Sequence, residues 1–366
     1  MNALATRSIR IFATKHAQSE MSATDSAETI TAIAQRIEEA AISSADSIGS
    51  RLASRARGLD FGVKLREKAA WLAQRNGPLS FVLGYLGHSK RPMPGLYRAA
   101  AALCIYEMCR TSAPASHEGT FQTHTTTASA QVALMEIACA AAGTEFIRIE
   151  ESPHRIRGAL SALFEHLFCG GNARLLDVAS DIRTPRDVSQ AYLYRLYDLR
   201  AAATLAGPLA AGAALAGAEQ ATVRRLSASA MLIGRALSIS RDCAAVMSIG
   251  AEGASGMLHP GRSLVLWFTY RHGGAVFRKR IAQVFESWPR VSDDRESLCA
   301  AAIESGACAY ARLEIERLSE RARLEEAAAA MHAPYGEALA AHIREQLDCA
   351  GGAARRTSPP DDPAAA

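Results

Sequence analysis

Nowhere in this chain do apolar and polar residues alternate one by one over the length of a strand. A half-buried strand needs that alternation, because successive side chains point to opposite faces. Apolar residues recur at helical spacing, beginning with Ile30, Ile33 and Ile37 after a start rich in Ser, Thr and Asp. The same period predicts helices over about 61–75, 95–110, 128–143, 158–180, 187–217, 221–250, 262–286, 294–332 and 335–348. The expected fold is all-α.

Between these segments stand RNGPLS, SKRPMPG, TSAPASHEG, RTPRD, GAEGASG and SWPRVSDD, the punctuation expected of breaks, with Ser292 placed to cap the following helix. None is long enough to be an obvious domain linker. The organisation read from this is an N-terminal extension with one amphipathic helix over 1–58, one large helical domain over 59–333, a last helix over 334–349 and a disordered low-complexity tail over 350–366. A chain of 366 residues is long enough for such a domain to bury a substantial core.

The 41 basic and 37 acidic residues are spread along the chain, and a net charge of +4 is not the footprint of a nucleic-acid binder. No two of the eight cysteines are spaced as C-x-x-C, and most sit among Ala, Leu and Ile. Reduced thiols in a cytoplasmic setting without a zinc site are expected. The first twenty residues hold Arg7, Arg10 and Lys15 and no acid before Glu20, which leaves two readings, a targeting segment or a start at Met21. Residues 201–218 are uncharged, but they are mostly Ala and Gly around Pro208. A close-packed internal helix is expected there rather than a membrane span.

Residues 225–252 read as a buried helix whose only charges between its ends are Arg235, Arg241 and Asp242. An adjacent Arg and Asp inside such a helix need a reason, and the surrounding motifs supply one. SKRPMPGLYRAAAALCIYEM contains Lys90 and Arg91, and LYDLRAAATLAGPLAAGAALAGA contains Arg200 followed by Ala201. HPGRSLVLWF contains Gly261, Arg262 and Ser263, and IESGACAYARLEIERLSERA follows near the end. In this order, over roughly residues 60–330, the elements resemble those of the trans-isoprenyl diphosphate synthases, or polyprenyl synthetases. The resemblance implies an isoprenoid-synthase-type helical bundle around a central cavity. In that family, two Asp-rich motifs on facing helices hold Mg²⁺ against an allylic diphosphate. The metals neutralise the leaving diphosphate while a carbocation forms.

The second of those motifs, F-Q-x-x-D-D-x-x-D in the family, falls on Leu237 to Ala245, and of its three aspartates only Asp242 remains. At positions i and i+4, where a metal-binding pair would share a helix face, stand Arg241 and Ala245. At an effective dielectric near 20, a guanidinium about 5 Å from a dication is repelled by roughly 6–7 kcal/mol. The first motif falls at about Glu145 to Glu151, where Glu145, Glu150 and Glu151 stand without paired aspartates. The Glu-Leu-Ile-His before it is Glu136, Ile137, Ala138 and Cys139 here, the Arg-Arg-Gly after it is Arg155, Ile156, Arg157 and Gly158, and Met93 replaces the second Arg of the first element.

The resemblance therefore implies a divergent member, non-catalytic or weakly catalytic, acting in isoprenoid metabolism as the partner or regulatory subunit of an active prenyl synthase. It implies a homodimer, or a heterodimer with that synthase, and a prenyl diphosphate ligand. Lys90, Arg91, Arg155, Arg157, Arg200 and Arg241 are the diphosphate-binding candidates, since guanidinium pairs with phosphate without metal. Glu145, Glu150, Glu151 and Asp242 are the metal candidates, with Mg²⁺ the cofactor if the protein is active. An ion pair from Arg241 to Glu145 or Glu150 across the cavity is a further expectation. The alternative is an atypical Mg²⁺-dependent prenyltransferase or terpene synthase built on those acids.

Overall fold

The computed structural model describes residues 26–45, 61–89, 91–111, 140, 143–179, 185–247, 260–287, 295–323, 327–328 and 330–355. No strand occurs among them. Helix α1 spans 26–45. It is followed by α2 (Phe61–Ala73), α3 (Asn76–Leu86), α4 (Leu96–Thr111) and α5 (Pro153–Ala179). Helix α6 (Gln190–Ala201) runs through a π-helical turn, Ala202–Ala206, into α7 (Gly207–Leu215), and α8 covers Gln220–Met247. The chain closes with α9 (Leu264–His272), α10 (Ala275–Ser287), α11 (Arg295–Glu304), α12 (Ala307–Ala322) and α13 (Tyr335–Arg355).

Two hydrophobic clusters fill the bundle, and α8 belongs to both. Val223, Leu226, Ala230, Ile233 and Leu237 join the cluster built from α1 to α5, α7 and α13. Ala236, Ile239, Cys243 and Val246 join the one built with α6, α9, α11 and α12. A helix that contributes to two cores sits between packed layers, which explains why 225–247 carries so few charges. The Ile33, Ile37 and Ala41 face of α1 is buried in the first cluster, as the spacing predicts.

Residues 201–218 are an internal segment, as expected, with every residue from Ala201 to Leu215 buried except Ala214. Small residues let its backbone approach α3 closely. A Cβ added at Gly84 would lie 2.5 Å from the Leu209 carbonyl oxygen, and one at Gly212 would collide with the Phe81 carbonyl. Among the described residues, no helix is long and apolar enough to cross a membrane.

The break at RNGPLS is confined to its start, where Arg75 is extended between α2 and α3. Helix α3 begins at Asn76, and Pro78 falls in its first turn, where a missing N–H costs nothing. Every residue from Asn76 to Leu86 is buried, so the segment has no polar face to reveal a helical period. The long helix expected over 294–332 is divided at Gly306, which adopts φ +75°, a left-handed conformation that glycine accepts without strain. The one expected over 262–286 is divided at Gly273, and the one over 187–217 begins only after Ser189, whose hydroxyl accepts from the Tyr192 N–H at 3.1 Å as a cap. The last helix runs to Arg355, into the segment expected to be a disordered tail. Ser292 and nearly all of 128–143 lie outside the described residues.

Candidate functional site

A cavity of about 820 Å³ opens between α8 and the helices facing it. From α8 it is lined by Leu237, Ser240, Arg241 and Ala244, positions that share one helix face at three- and four-residue spacing. Glu107 of α4 and Thr204 of the π-helical turn stand on the opposing walls, with Arg75 and Asn76 at the start of α3. Thr31, Gln35 and Glu38 of α1, Gln74, and His342, Glu345 and Gln346 of α13 complete the polar lining. The first and last of the described helices thus line the same cavity.

The expected pairing of Arg241 with Ala245 on the cavity wall is corrected by this face. Ala244 accompanies Arg241, while Ala245 packs against the second core. The surviving motif carboxylate also leaves the face. Asp242 accepts hydrogen bonds from the Tyr197 hydroxyl of α6 and from the Leu264 N–H, 2.9 Å away at the first turn of α9. The residue is partly exposed, but its carboxyl group is enclosed. That burial pushes its pKa up to about 6, against the downward pull of the two hydrogen bonds and of Arg200 and Arg241. Burial and the Asp242 charge together hold the Tyr197 hydroxyl well above its ordinary pKa. Asp242 thus holds α6, α8 and α9 together.

On the other wall, Gln346 Nε2 donates to Asn76 Oδ1 at 2.7 Å, and His342 Nε2 lies 3.2 Å from that oxygen and 2.8 Å from Gln346 Nε2. Burial pushes the His342 pKa down to about 4, so the imidazole is neutral at physiological pH. Thr204 returns its hydroxyl to the Arg200 carbonyl at 2.9 Å, inside a π-helical turn of the kind often found at functional sites.

The residues singled out from the sequence do not converge on one site. Glu145 forms ion pairs with Arg148 at 3.0 Å and Arg98 at 3.5 Å, and Glu151 pairs with Arg155 at 3.3 Å. Glu150 is exposed, as are Arg91, Arg155 and Arg157. Arg157 borders a separate shallow apolar groove with Ile147, Ile156, Leu160 and Phe164. Lys90 lies outside the described residues. Arg200, Arg241 and Asp242 are brought within electrostatic reach of one another. The carboxylates that share the cavity with Arg241 are Glu38, Glu107 and Glu345, none of which the motif reading named. Glu107 carries the signal that exposed Arg241: an acid alone in a buried apolar helix, here only 2% exposed.

Among the described residues, no three His, Cys, Asp or Glu side chains stand together as a metal-holding group. The cavity face of α8 offers a hydroxyl, a guanidinium and a methyl, which do not fit a Mg²⁺ ion that takes carboxylate and water oxygens.

No family model matches the chain, and no curated protein matches it in sequence. Solved structures do match. A polyprenyl synthase from Roseobacter denitrificans superposes with a TM-score of 0.64 at 15% identity, covering 89% of this chain and 99% of that one. A polyprenyl synthase from Caulobacter crescentus, complexed with calcium and isoprenyl diphosphate, gives 0.62 at 16% identity over 86% and 97%. A heptaprenyl diphosphate synthase from Staphylococcus aureus gives 0.60 at 13% identity over 89% and 98%. At these identities the likeness speaks for architecture, and the chain has the all-α fold of the prenyl diphosphate synthases.

Proposed function

We propose that this protein acts in isoprenoid metabolism as a non-catalytic or weakly catalytic partner, or regulatory subunit, of an active prenyl synthase. The observation that carries the reading is the division of labour at Arg241 and Asp242. The guanidinium lines the cavity where a metal-binding acid would be needed, and the carboxylate is engaged by Tyr197 and Leu264. A cavity of about 820 Å³ with apolar walls from Ile30, Ala34 and Leu237 is consistent with retained prenyl-ligand binding. Phe164, Phe168 and Leu175 of α5 are exposed along one side of that helix, at 40%, 72% and 66%, and suit the face of a partner subunit.

The test is release of inorganic diphosphate from geranyl, farnesyl and geranylgeranyl diphosphate, with and without isopentenyl diphosphate, across a Mg²⁺ titration. The folded chain alone is expected to show no turnover, and to co-purify with a competent prenyl synthase when the two are produced together. The second reading is an atypical Mg²⁺-dependent prenyltransferase or terpene synthase, and the observation favouring it is the placement of Glu38, Glu107 and Glu345 in the cavity. Mg²⁺-dependent turnover abolished by Glu107→Gln would establish that reading and overturn the first.

A further inference from the structure

Away from the cavity, three sulfur atoms meet where α8, α11 and α12 converge. The thiol of Cys299 lies 3.7 Å from the Met247 thioether sulfur, and that of Cys308 lies 4.0 Å from the same atom. Met247 is the last residue of α8, Cys299 lies within α11, and Cys308 is in the first turn of α12. We propose that Met247, Cys299 and Cys308 form a binding site for a soft monovalent metal ion, Cu(I) or Ag(I) in type.

The spacing supports this directly. With metal–sulfur bonds of about 2.3 Å, three sulfurs arranged in a triangle around one ion stand about 4 Å apart. Two sides of that triangle, those that meet at the Met247 sulfur, already have this length. The donor set selects for softness: thiolate and thioether ligands favour Cu(I), whereas Mg²⁺ and Ca²⁺ require oxygen. Both cysteines are free and partly exposed, which leaves an entry path. Cys243, one turn before Met247 on α8, brings a fourth sulfur close enough to feel the Cys308 thiol. In the reduced protein both sulfurs are carried as thiols. Binding therefore exchanges thiol protons for the ion, each S–H bond giving way to a metal–sulfur bond and each proton passing to solvent.

The test uses the reduced full chain titrated with Ag(I) in chloride-free buffer, followed by near-ultraviolet thiolate–metal absorption and by thermal unfolding. One tight equivalent is expected. It should be lost in Cys299→Ser and Cys308→Ser, and weakened by roughly tenfold in Met247→Leu, which keeps the side chain's bulk. Cys104→Ser and Cys169→Ser should leave it intact. Because other cysteines bind silver without a thioether, Met247→Leu is the decisive variant. An unchanged tight equivalent in folded Met247→Leu protein, no tight equivalent in the wild type, or equally tight Zn²⁺ binding would overturn the assignment.

Discussion

Arg241 and Asp242 are chain neighbours that serve different surfaces of α8. The guanidinium lines the central cavity, and the carboxylate is enclosed between Tyr197 and the first turn of α9. A helix turns by about 100° per residue, so the Arg241 and Asp242 side chains leave it in different directions. The single acid left in the motif is thereby a clamp between helices.

That clamp is asymmetric. If Asp242 is shortened in function by Asp242→Asn, the Leu264 N–H still has the Tyr197 oxygen at 3.0 Å, and the Tyr197 hydroxyl still has the Arg262 carbonyl at 3.2 Å. Tyr197→Phe removes a shared group and leaves Asp242 with one hydrogen bond fewer. Urea unfolding should show a loss of about 1 kcal/mol for Asp242→Asn and about 2–3 kcal/mol for Tyr197→Phe. The reverse order would mean that the carboxylate, not the hydroxyl, is the hub.

Two buried groups give opposing pH dependences over one window. Asp242 titrates near pH 6 in the fold against an ordinary value of 3.8, so its contribution is fully present below about 3.8 and is lost as pH rises through 6. His342 titrates near pH 4 against 6.5, so its contribution is present above about 6.5 and is lost as pH falls through 4. Each amounts to at most about 3 kcal/mol. Between pH 6.5 and 4, acidification should destabilise Asp242→Asn more steeply than wild type. Over the same range His342→Gln should be destabilised less than wild type, or stabilised. Parallel slopes for both variants in denaturant titrations at several pH values would contradict this account.

Periodicity exposes a helix when one side is wet. It revealed α1, through Ile33 and Ile37, and the long apolar run of α8. It failed at α3, where Asn76 and Ser80 are buried along with Phe81 and Leu83, so no polar stripe marks the turn of the helix. The helix end at Gly306 escapes periodicity because a lone glycine inside a helical pattern does not announce its φ, and at Gly273 the backbone merely turns extended while the apolar spacing continues. At the site, the motif register put Arg241 and Ala245 on the cavity wall, where Arg241 and Ala244 stand, and could not tell that Asp242 points to Tyr197. Glu107 and Glu345 reach the cavity from α4 and α13, and only the packing of distant helices assembles them with Arg241.

The crossing of α3 and α7 should be the least forgiving place in the fold. Gly212→Ala forces a methyl into the Phe81 carbonyl, and Gly84→Ala forces one against the Leu209 carbonyl. Backbone cannot yield as a side-chain tip can, so each should cost about 2–3 kcal/mol or more. Gly158 in α5 has nothing within 4 Å of an added Cβ. Gly158→Ala should leave stability unchanged or raise it by up to about 1 kcal/mol. Thermal unfolding of the three variants separates close packing from the general helix propensity of alanine.

Charge in the cavity makes ligand binding testable with two substitutions of opposite sign. A prenyl diphosphate seated there would meet Arg75 and Arg241 as attractive groups and Glu38, Glu107 and Glu345 as repulsive ones. A charge about 5 Å from a phosphate contributes roughly 3 kcal/mol per unit of phosphate charge at an effective dielectric near 20. Arg241→Gln should therefore weaken binding of farnesyl diphosphate by about 10–100-fold, and Glu107→Gln should tighten it, both read by calorimetry in metal-free buffer. Arg155→Gln and Arg157→Gln, on the exposed face of α5, should change it less than about threefold. If those two weaken binding while Arg241→Gln does not, the diphosphate is held outside the cavity and the role assigned to Arg241 fails.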